Sequence, residues 1–203
     1  LAGHAPVPSV TCWCDDDRVI GQPFALVDYI DGLSLTDSLP AAYDSVDALN
    51  RLGLQLAAAL GSIASAPWQS LGLAERGRPE NFLRRQIERW LQVRSEQPTR
   101  ELPEIERLGQ WLLQHLPPEG PVGIVHGDYH LDNTLCHRER PELLAVIDWE
   151  MGTIGDPLTD LGLLLMFWGS RAVSPPGFAH VQAVSRREGV IGRRDLARAW
   201  SES

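Results

Sequence analysis

The sequence predicts an α+β fold that is mainly helical, with a few short strands. Residues 7–14 and 18–30 have the β-branched and aromatic composition of strands, with a turn at 21–23. After residue 32, apolar residues recur mostly at the three- and four-residue spacing of amphipathic helices. Hydrophobic residues make up 43% of the 203-residue chain, which is enough for a substantial core. The strand-like composition and the helical spacing together favour a strand-containing start followed by a larger helical unit.

Three amphipathic helices are predicted in the first part of the helical region. Asp44 or Ser45 can cap the first, whose apolar and small residues lie at helical spacing: Val46, Leu49, Gly53, Leu56, Ala57, Leu60 and Ile63. The second has an apolar face of Leu83, Ile87, Trp90 and Leu91. Its opposite face, which we expect to be solvated, carries Arg84, Arg85, Glu88 and Arg89. The third begins near Pro103, a favourable first-turn residue, and is predicted to bury Ile105, Leu108, Leu112 and Leu116.

Short strands and one buried helix are predicted further along the chain. Residues 122–125 form a short apolar strand, and residues 134–136 and 143–147 form a hairpin around a polar turn. Residues 158–168 are apolar on nearly all sides, which indicates a helix buried on most faces. From residue 175 onward the pattern is weaker and predicts no element.

Charge and cysteine content limit the classes of partner. The formal net charge is −9 and the isoelectric point is near 5.1, which argues against a nucleic-acid or anionic-membrane surface. No run of 18 apolar residues occurs, and three cysteines are too few for a disulfide framework. We therefore expect a cytoplasmic protein whose partners are small molecules. The sequence carries no signal for the oligomeric state.

The most informative residues are an aspartate and an asparagine on one loop and a second aspartate after a strand. The loop reads His126-Gly127-Asp128-Tyr129-His130-Leu131-Asp132-Asn133, and the buried strand at 143–147 ends in Asp148. Phosphoryl transfer needs one carboxylate to accept the proton of the attacking hydroxyl. It also needs oxygen ligands for the magnesium ions that neutralise the phosphates. These residue types in this order predict Asp128 as the catalytic base and Asn133 and Asp148 as Mg²⁺ ligands.

A second interpretation of the same loop is a metal-dependent hydrolase. His126 and His130 are four residues apart, with Asp128 between them, which resembles part of a zinc or two-metal site. Such sites usually need more histidine ligands downstream, and only His137 and His180 follow, in settings unlike those of ligands. We expect His126 instead to orient the loop by hydrogen bonding. Glu150 either contacts the site or faces solvent.

The combination of motifs resembles the aminoglycoside phosphotransferase and choline kinase family, small-molecule relatives of the protein kinases. It is most similar to the branch that includes kinase-like domains fused to some acyl-CoA dehydrogenases. The matching segments are His126–Tyr129, Leu131–Asn133, Val146–Glu150 and Gly155–Leu161, with Pro23–Gly32 similar to the hinge strand and Gly77–Glu80 similar to that branch. The resemblance covers most of residues 7–170. It implies a protein-kinase-like fold and an ATP-dependent kinase, with GTP as an alternative nucleotide.

The resemblance also implies particular roles. Asp128 is the base, and Asn133 and Asp148 are the magnesium ligands. The backbone of Asp28 and Ile30 contacts the adenine edge of the nucleotide. Asp160 braces the loop from behind, although Asp156 and Asp160 could also be acids in the first turn of a helix. Residues 1–32 correspond to the last strands of an N-terminal lobe and the hinge, and residues 33–203 to the helical C-terminal lobe.

The chain departs from the family pattern in its first 30 residues, where no glycine-rich loop followed by a lysine occurs. We therefore expect a piece of a longer protein that binds nucleotide weakly by itself, shows little phosphotransfer and exposes apolar residues near Phe24, Leu26 and Tyr29. Leu60-Gly61 also stands where the family often has Leu-His. A non-catalytic kinase-like binding module is the alternative. The acceptor hydroxyl, on a hydroxyacyl compound, an amino sugar or another small molecule, is not specified by these motifs.

Overall fold

Helix α1, Val46–Ser65, forms the centre of the hydrophobic core. The computed structural model describes residues 1–35, 39–96, 102–169 and 185–203. Ser45 caps the helix by accepting a hydrogen bond from the Ala48 amide at 3.1 Å, as the sequence predicted. The apolar side of α1 is fully buried at Leu49, Leu52, Leu56, Leu60 and Ile63. The functional loop described below packs against this helix.

Six short strands form three separate antiparallel pairs. They are β1 (Val10–Cys14), β2 (Phe24–Val27), β3 (Gly123–Val125), β4 (Thr134–Cys136), β5 (Leu143–Val146) and β6 (Thr153–Gly155). The pairs are β1 with β2, β3 with β6, and β4 with β5. In the β3–β6 pair Ile124 lies opposite Ile154, and in the β4–β5 hairpin Leu135 lies opposite Ala145. Strand β3 precedes Asp128, β4 directly follows Asn133, and β5 precedes Asp148.

Four further helices surround α1 and the strands: α2 (Phe82–Glu96), α3 (Pro103–Gln114), α4 (Leu158–Met166) and α5 (Arg193–Ser201). Short 3₁₀ turns occur at Ala41–Tyr43 and Leu131–Asn133. Helix α5 packs along α1, and Trp168, just after α4, fits against Gly53 of α1. None of the described helices is long and apolar enough to cross a membrane.

Several predicted elements are confirmed, among them α1, the start of α3 at Pro103, the β4–β5 hairpin and the buried helix α4. Residues 18–20 are not a strand; they lie in the turn between β1 and β2. The expected burial of α3 is wrong, because its apolar side chains are largely exposed: Ile105, Leu108 and Leu112. Strand β6 and helix α5 were not predicted. Part of the weakly patterned tail, residues 170–184, lies outside the described residues.

The β1–β2 hairpin exposes large apolar side chains, as expected near its second strand. Leu26 is 52% exposed and Tyr29 is 85% exposed, while Phe24 is half-buried. Cys12 is exposed, and only Cys136 among the three free cysteines is buried. The helical part of the chain therefore has its own core, and the hairpin contributes little to it.

Two glycines in helices give a matched test of the packing of α1. A Cβ atom on Gly53 would lie 2.6 Å from the ring of Trp168, which is buried and hydrogen-bonded to the Ile191 carbonyl. A Cβ atom on Gly162 in α4 would have no atom within 4 Å. We expect Gly53→Ala to lower the free energy of unfolding by about 1–3 kcal/mol through overpacking. Gly162→Ala should raise it by roughly 0.5–1 kcal/mol through helix propensity. Urea denaturation measures both, and equal effects of the two changes would contradict the packing.

Candidate active site

Asp128 and Asn133 are joined directly by hydrogen bonds within the loop that follows β3. The Asn133 amide nitrogen donates to the backbone oxygen of Asp128 and to its carboxylate Oδ2, both at 2.8 Å. The amide group is thereby oriented with its nitrogen toward Asp128 and its oxygen directed elsewhere. The Asp128 side chain remains 44% exposed, so its carboxylate is held in place and still accessible to a small molecule.

His126 connects the loop to the end of β5. Its buried ring accepts a hydrogen bond from the Asp128 amide at Nδ1, at 3.3 Å, and donates from Nε2 to the Ile147 carbonyl at 2.9 Å. The Ile147 amide in turn donates to the Asn133 carbonyl at 2.9 Å. One hydrogen-bonded unit therefore connects Asp128, Asn133 and Ile147, the residue before Asp148. The predicted orienting role of His126 is confirmed.

Asp160, in the first turn of α4, holds the same loop from behind. Its carboxylate accepts hydrogen bonds from the His126 amide at 2.6 Å and from the Gly127 amide at 2.9 Å. The side chain is almost completely buried, and this burial raises the pKa of the Asp160 carboxyl while the two amide hydrogen bonds oppose the rise. The predicted bracing role is confirmed. Asp156, by contrast, accepts from the Leu158 amide at the start of α4.

Gly127 and Tyr129 fix the path of the chain on either side of Asp128. Gly127 has a φ of +88°, and a Cβ atom there would lie 2.8 Å from Met151. The position therefore requires glycine for both its conformation and its close approach. Tyr129 is fully buried, and its hydroxyl donates to the Leu56 carbonyl of α1 at 2.8 Å. The loop is thus anchored to the central helix immediately after the candidate base.

Asp148 adopts a left-handed backbone conformation with a φ of +65°. Aspartate tolerates this region better than most residues, and non-glycine residues in it often mark functional sites. The side chain is exposed directly after Ile147, whose backbone is bonded to both His126 and Asn133. The sequence predicted Asp148 as a strand-terminal carboxylate but gave no indication of this backbone geometry.

His130 lies between two carboxylates. Its Nε2 is 3.3 Å from Asp128 Oδ1, and its Nδ1 is 3.7 Å from Asp132 Oδ1. Burial alone would lower the pKa of His130. The two neighbouring carboxylates, Asp132 and Asp128, outweigh that effect and raise the pKa of His130 above its usual value of 6.5. His130 is therefore more readily protonated than a free histidine, and its positive charge would lie against the candidate base.

The predicted adenine-contacting residues lie in the segment after β2. The Asp28 amide donates to the Ser9 carbonyl at 2.9 Å, while within the described residues the Asp28 carbonyl and the Ile30 amide have no hydrogen-bond partner. The chain beyond them contacts the site region, because Leu33 pairs with Cys136 of β4 and the Ser34 hydroxyl donates to the Asp132 carbonyl at 2.8 Å. Asp28 and Ile30 are thus linked to the loop only indirectly, through residues 31–34.

The donor set at Asn133 and Asp148 fits Mg²⁺ better than it fits zinc. An amide oxygen and a carboxylate are hard ligands of the kind that Mg²⁺ prefers, and this ion keeps several of its waters. Both ring nitrogens of His126 are hydrogen-bonded to backbone groups, so neither is available to a metal. Across residues 1–35, 39–96, 102–169 and 185–203, no group of three or more His, Cys, Asp or Glu side chains could hold an ion. The His126 geometry argues against the hydrolase interpretation.

A cavity of about 530 Å³ borders the loop at Gly127. Its wall includes residues of α2, the turn before β6 and one side of α4. Arg89 and Trp90 of α2 belong to this wall; Arg89 is exposed, as the sequence predicted, and Trp90, predicted on the apolar face of the helix, is 59% exposed. Helical periodicity predicts on which face of a helix a residue lies. It does not show whether that face borders a cavity or open solvent.

The charge state of His130 gives a testable dependence on pH. Because its pKa in the folded state is raised above 6.5, its electrostatic contribution to stability is fully present below that value. The contribution is lost as the pH rises through the folded-state pKa. We expect an NMR titration of the His130 ring to give a pKa above 6.5, and His130→Gln to remove this part of the pH dependence of unfolding. A titration midpoint at or below 6.5 would contradict the assigned environment.

Solved structures with the same fold include aminoglycoside phosphotransferases. A crystal structure of a protein from Ralstonia eutropha JMP134, provisionally assigned to that class, superposes with a TM-score of 0.83 at 31% identity and covers 100% of this chain and 61% of its own. An aminoglycoside phosphotransferase in complex with GDP and kanamycin superposes with a TM-score of 0.60 at 23% identity, covering 99% and 67%. The predicted protein-kinase-like α+β fold is confirmed.

Curated relatives carry acyl-CoA dehydrogenase names. Acyl-CoA dehydrogenase family member 10 of Mus musculus is 38% identical over 162 residues, which are 77% of this chain and 14% of the relative. Probable acyl-CoA dehydrogenase IBR3 of Arabidopsis thaliana is 33% identical over 174 residues, which are 81% of this chain and 21% of the relative. The chain therefore spans about a fifth or less of the length of these relatives. The model of the phosphotransferase enzyme family matches residues 1–196, and the chain belongs to that family.

Proposed function

We propose that this chain carries the catalytic loop of a small-molecule kinase, which transfers the γ-phosphate of ATP, or of GTP, to a hydroxyl group. The observation that supports this most strongly is the hydrogen-bonded unit of Asp128, Asn133 and the β5 end before Asp148, held by His126. Catalysis of phosphoryl transfer depends mainly on positioning and electrostatic stabilisation. A rigid set of acidic and amide groups with one accessible carboxylate meets that requirement.

Asp128 is the proposed base. Its carboxylate has lone pairs beyond the one that accepts from Asn133, and the side chain is open to a ligand. As the acceptor oxygen bonds to the γ-phosphorus, the bond to the leaving oxygen of the nucleotide breaks and Asp128 takes the hydroxyl proton. A protonated His130 would donate to Asp128 Oδ1 and occupy that oxygen, so activity should favour the neutral histidine.

Asn133 and Asp148 are the proposed ligands of magnesium. The Asn133 amide nitrogen is committed to Asp128, which leaves the side-chain oxygen for a cation. Asp148 is exposed and follows a residue whose backbone is fixed on both sides. When bound, the ion supplies positive charge against the phosphate oxygens, and these two residues would hold it next to Asp128.

Asp28 and Ile30 are the proposed contacts of the nucleotide base. A carbonyl and an amide two residues apart, both free of hydrogen bonds within the described part of the chain, match the donor and acceptor edge of adenine. The neighbouring phosphotransferase structures include GDP complexes, so we retain GTP as the alternative nucleotide. The division into a strand and hinge segment, residues 1–32, and a helical lobe, residues 33–203, is part of the same proposal.

The test of the catalytic role is Asp128→Asn in the protein at the length that its gene encodes. We expect turnover to fall by ~10²-fold or more, because the variant removes the acceptor of the hydroxyl proton. The measurement is nucleotide consumption with Mg²⁺ and a panel of hydroxylated small molecules. Glu188→Gln is the matched control, since it also removes one exposed carboxylate and should leave turnover unchanged. Unchanged turnover in Asp128→Asn would remove Asp128 from this role, whereas the absence of turnover in the unaltered protein would favour a non-catalytic binding module.

Asp148→Ala should act on nucleotide binding rather than on proton transfer alone. We expect calorimetric titration with Mg-ATP to show affinity lower by about 10-fold or more, because the cation loses a carboxylate ligand. Asp148→Asn is the conformational control, since asparagine also tolerates the positive φ but carries no charge. Similar losses in both variants would assign the effect to charge. Wild-type affinity in both would mean that Asp148 holds no cation.

A further inference from the structure

His130 and Asp132 bury two polar side chains directly beside the candidate base. Each side chain is only 15% exposed, whereas that of Asp128 is 44% exposed. Within the described residues, His130 Nδ1 and Asp132 Oδ1 are both buried without a hydrogen-bond partner, although they face each other at 3.7 Å. Buried polar atoms are rarely left unpaired, and those that are often belong to groups with a role in catalysis.

The His130 ring is confined between the two carboxylates. Phe167, just after α4, contacts the ring in an edge geometry, with the ring centroids 5.5 Å apart. The Asn133 amide donates to the His130 carbonyl at 3.1 Å, and the Ser34 hydroxyl donates to the Asp132 carbonyl at 2.8 Å. The backbone on both sides of the ring is therefore fixed, and the imidazole keeps one nitrogen toward each carboxylate.

The buried carboxylate of Asp132 determines which nitrogen of the neutral ring carries the proton. A carboxylate only accepts hydrogen bonds, so a proton on Nδ1 satisfies both unpaired atoms after a small rotation of the ring. Nε2, which is 3.3 Å from Asp128 Oδ1, is then an acceptor. The opposite tautomer would leave two acceptors facing each other at Asp132. That costs more than an unpaired acceptor at Asp128, which water can reach.

The charged groups around the ring favour its taking up a proton. Asp128 and Asp132 lie against its two nitrogens, and Phe167 is uncharged. Arg193 of α5 donates to backbone carbonyls on either side of Phe167. The two carboxylates outweigh burial and raise the pKa of His130. Because an imidazole binds a proton more strongly than a carboxylate does, a proton received by the candidate base would be transferred favourably to this ring.

We propose that His130 takes the proton of the acceptor hydroxyl from Asp128, and that Asp132 holds the ring for this transfer. The proposal rests on the proposed kinase function, because it needs Asp128 to act as the base. As the hydroxyl oxygen bonds to the γ-phosphorus, its proton passes to Asp128 Oδ1 and then to His130 Nε2, while the Nδ1 proton stays beside Asp132. Asp128 is again a carboxylate, and the imidazolium releases one proton to solvent before the next turnover. His130 and Asp132 are thus positioning residues that act through Asp128.

The kinetic test measures consumption of Mg-ATP across pH in the protein at the length that its gene encodes, with water and then a panel of hydroxylated small molecules as acceptors. We expect kcat to fall as the pH decreases through the pKa of His130, because a protonated ring accepts no proton. His130→Gln should lower kcat about 10-fold or more, leave the KM for Mg-ATP unchanged and abolish this acidic decline. His115→Gln, at an exposed histidine just after α3, is the matched control and should retain it. An acidic decline that persists in His130→Gln would overturn the proposal.

An NMR measurement on the unaltered protein tests the tautomer without any substitution in the loop. Above the pKa of His130, the ¹⁵N shifts of the ring should show the proton on Nδ1. Asp132→Asn should lower this pKa, because it removes a carboxylate that favours the imidazolium, and should move the acidic decline of kcat to lower pH by the same amount. Glu188→Gln removes an exposed carboxylate elsewhere and should change neither quantity. A neutral ring protonated on Nε2, or a decline of kcat that does not follow the pKa measured by NMR, would contradict the relay.

Comparison with Asp128→Asn distinguishes failure of the relay from failure of the kinase function. Consumption of Mg-ATP that depends on Asp128 but is unaffected by His130→Gln would support the kinase function and overturn the relay. The absence of any Asp128-dependent consumption across the pH range would count against the kinase function and overturn the relay with it. Dependence on both residues, with the acidic decline lost only in His130→Gln, is the expected result.

Discussion

The arrangement of the site depends on one buried carboxylate, that of Asp160. A charge removed from water is costly unless hydrogen bonds compensate it, and here the His126 and Gly127 amides do so. The position of Asp160 in the first turn of α4 adds the positive end of that helix. Those two amides belong to the residues just before Asp128. The buried carboxylate therefore fixes the backbone position from which the side chain of the candidate base extends. The loop could not move away from α4 without leaving the carboxylate unpaired.

From that anchor, hydrogen bonds extend through the remaining groups of the site. His126 contacts the Asp128 amide and the Ile147 carbonyl, and Ile147 contacts Asn133, which returns to the Asp128 carboxylate. Tyr129 fixes the same loop to α1. Groups held in this way need little reorganisation when a substrate binds, which is how phosphoryl transfer is accelerated by a protein that supplies no covalent chemistry of its own. Asp148, whose backbone has a left-handed conformation, directly follows Ile147 in this network and has an exposed side chain.

What the sequence could predict follows from how local each signal is. Helix α1 has a cap and a periodic apolar stripe, and the β4–β5 hairpin has two apolar runs around a polar turn, so both were predictable from neighbouring residues. Strand β6 has three residues and exists because it pairs with β3, far away in sequence, and α5 is defined by packing on α1. The site residues on the loop were predicted by their motif. The cavity at Arg89 was not, because it is formed by elements that only the fold brings together.

The loop of the candidate site and the cavity that borders it at Gly127 are supported in different ways. The loop that carries the candidate base is fixed to α1 and α4, whose apolar residues belong to the central core. Helix α2, which supplies Arg89 and Gln86 to the cavity, has only Phe82 among its own buried residues. Substitutions on the cavity side of α2 therefore cost the core little, whereas substitutions in the loop disturb the whole hydrogen-bonded unit. The motifs that identify the family lie in this loop, so they do not specify the acceptor, which a fold can change while it keeps one chemistry.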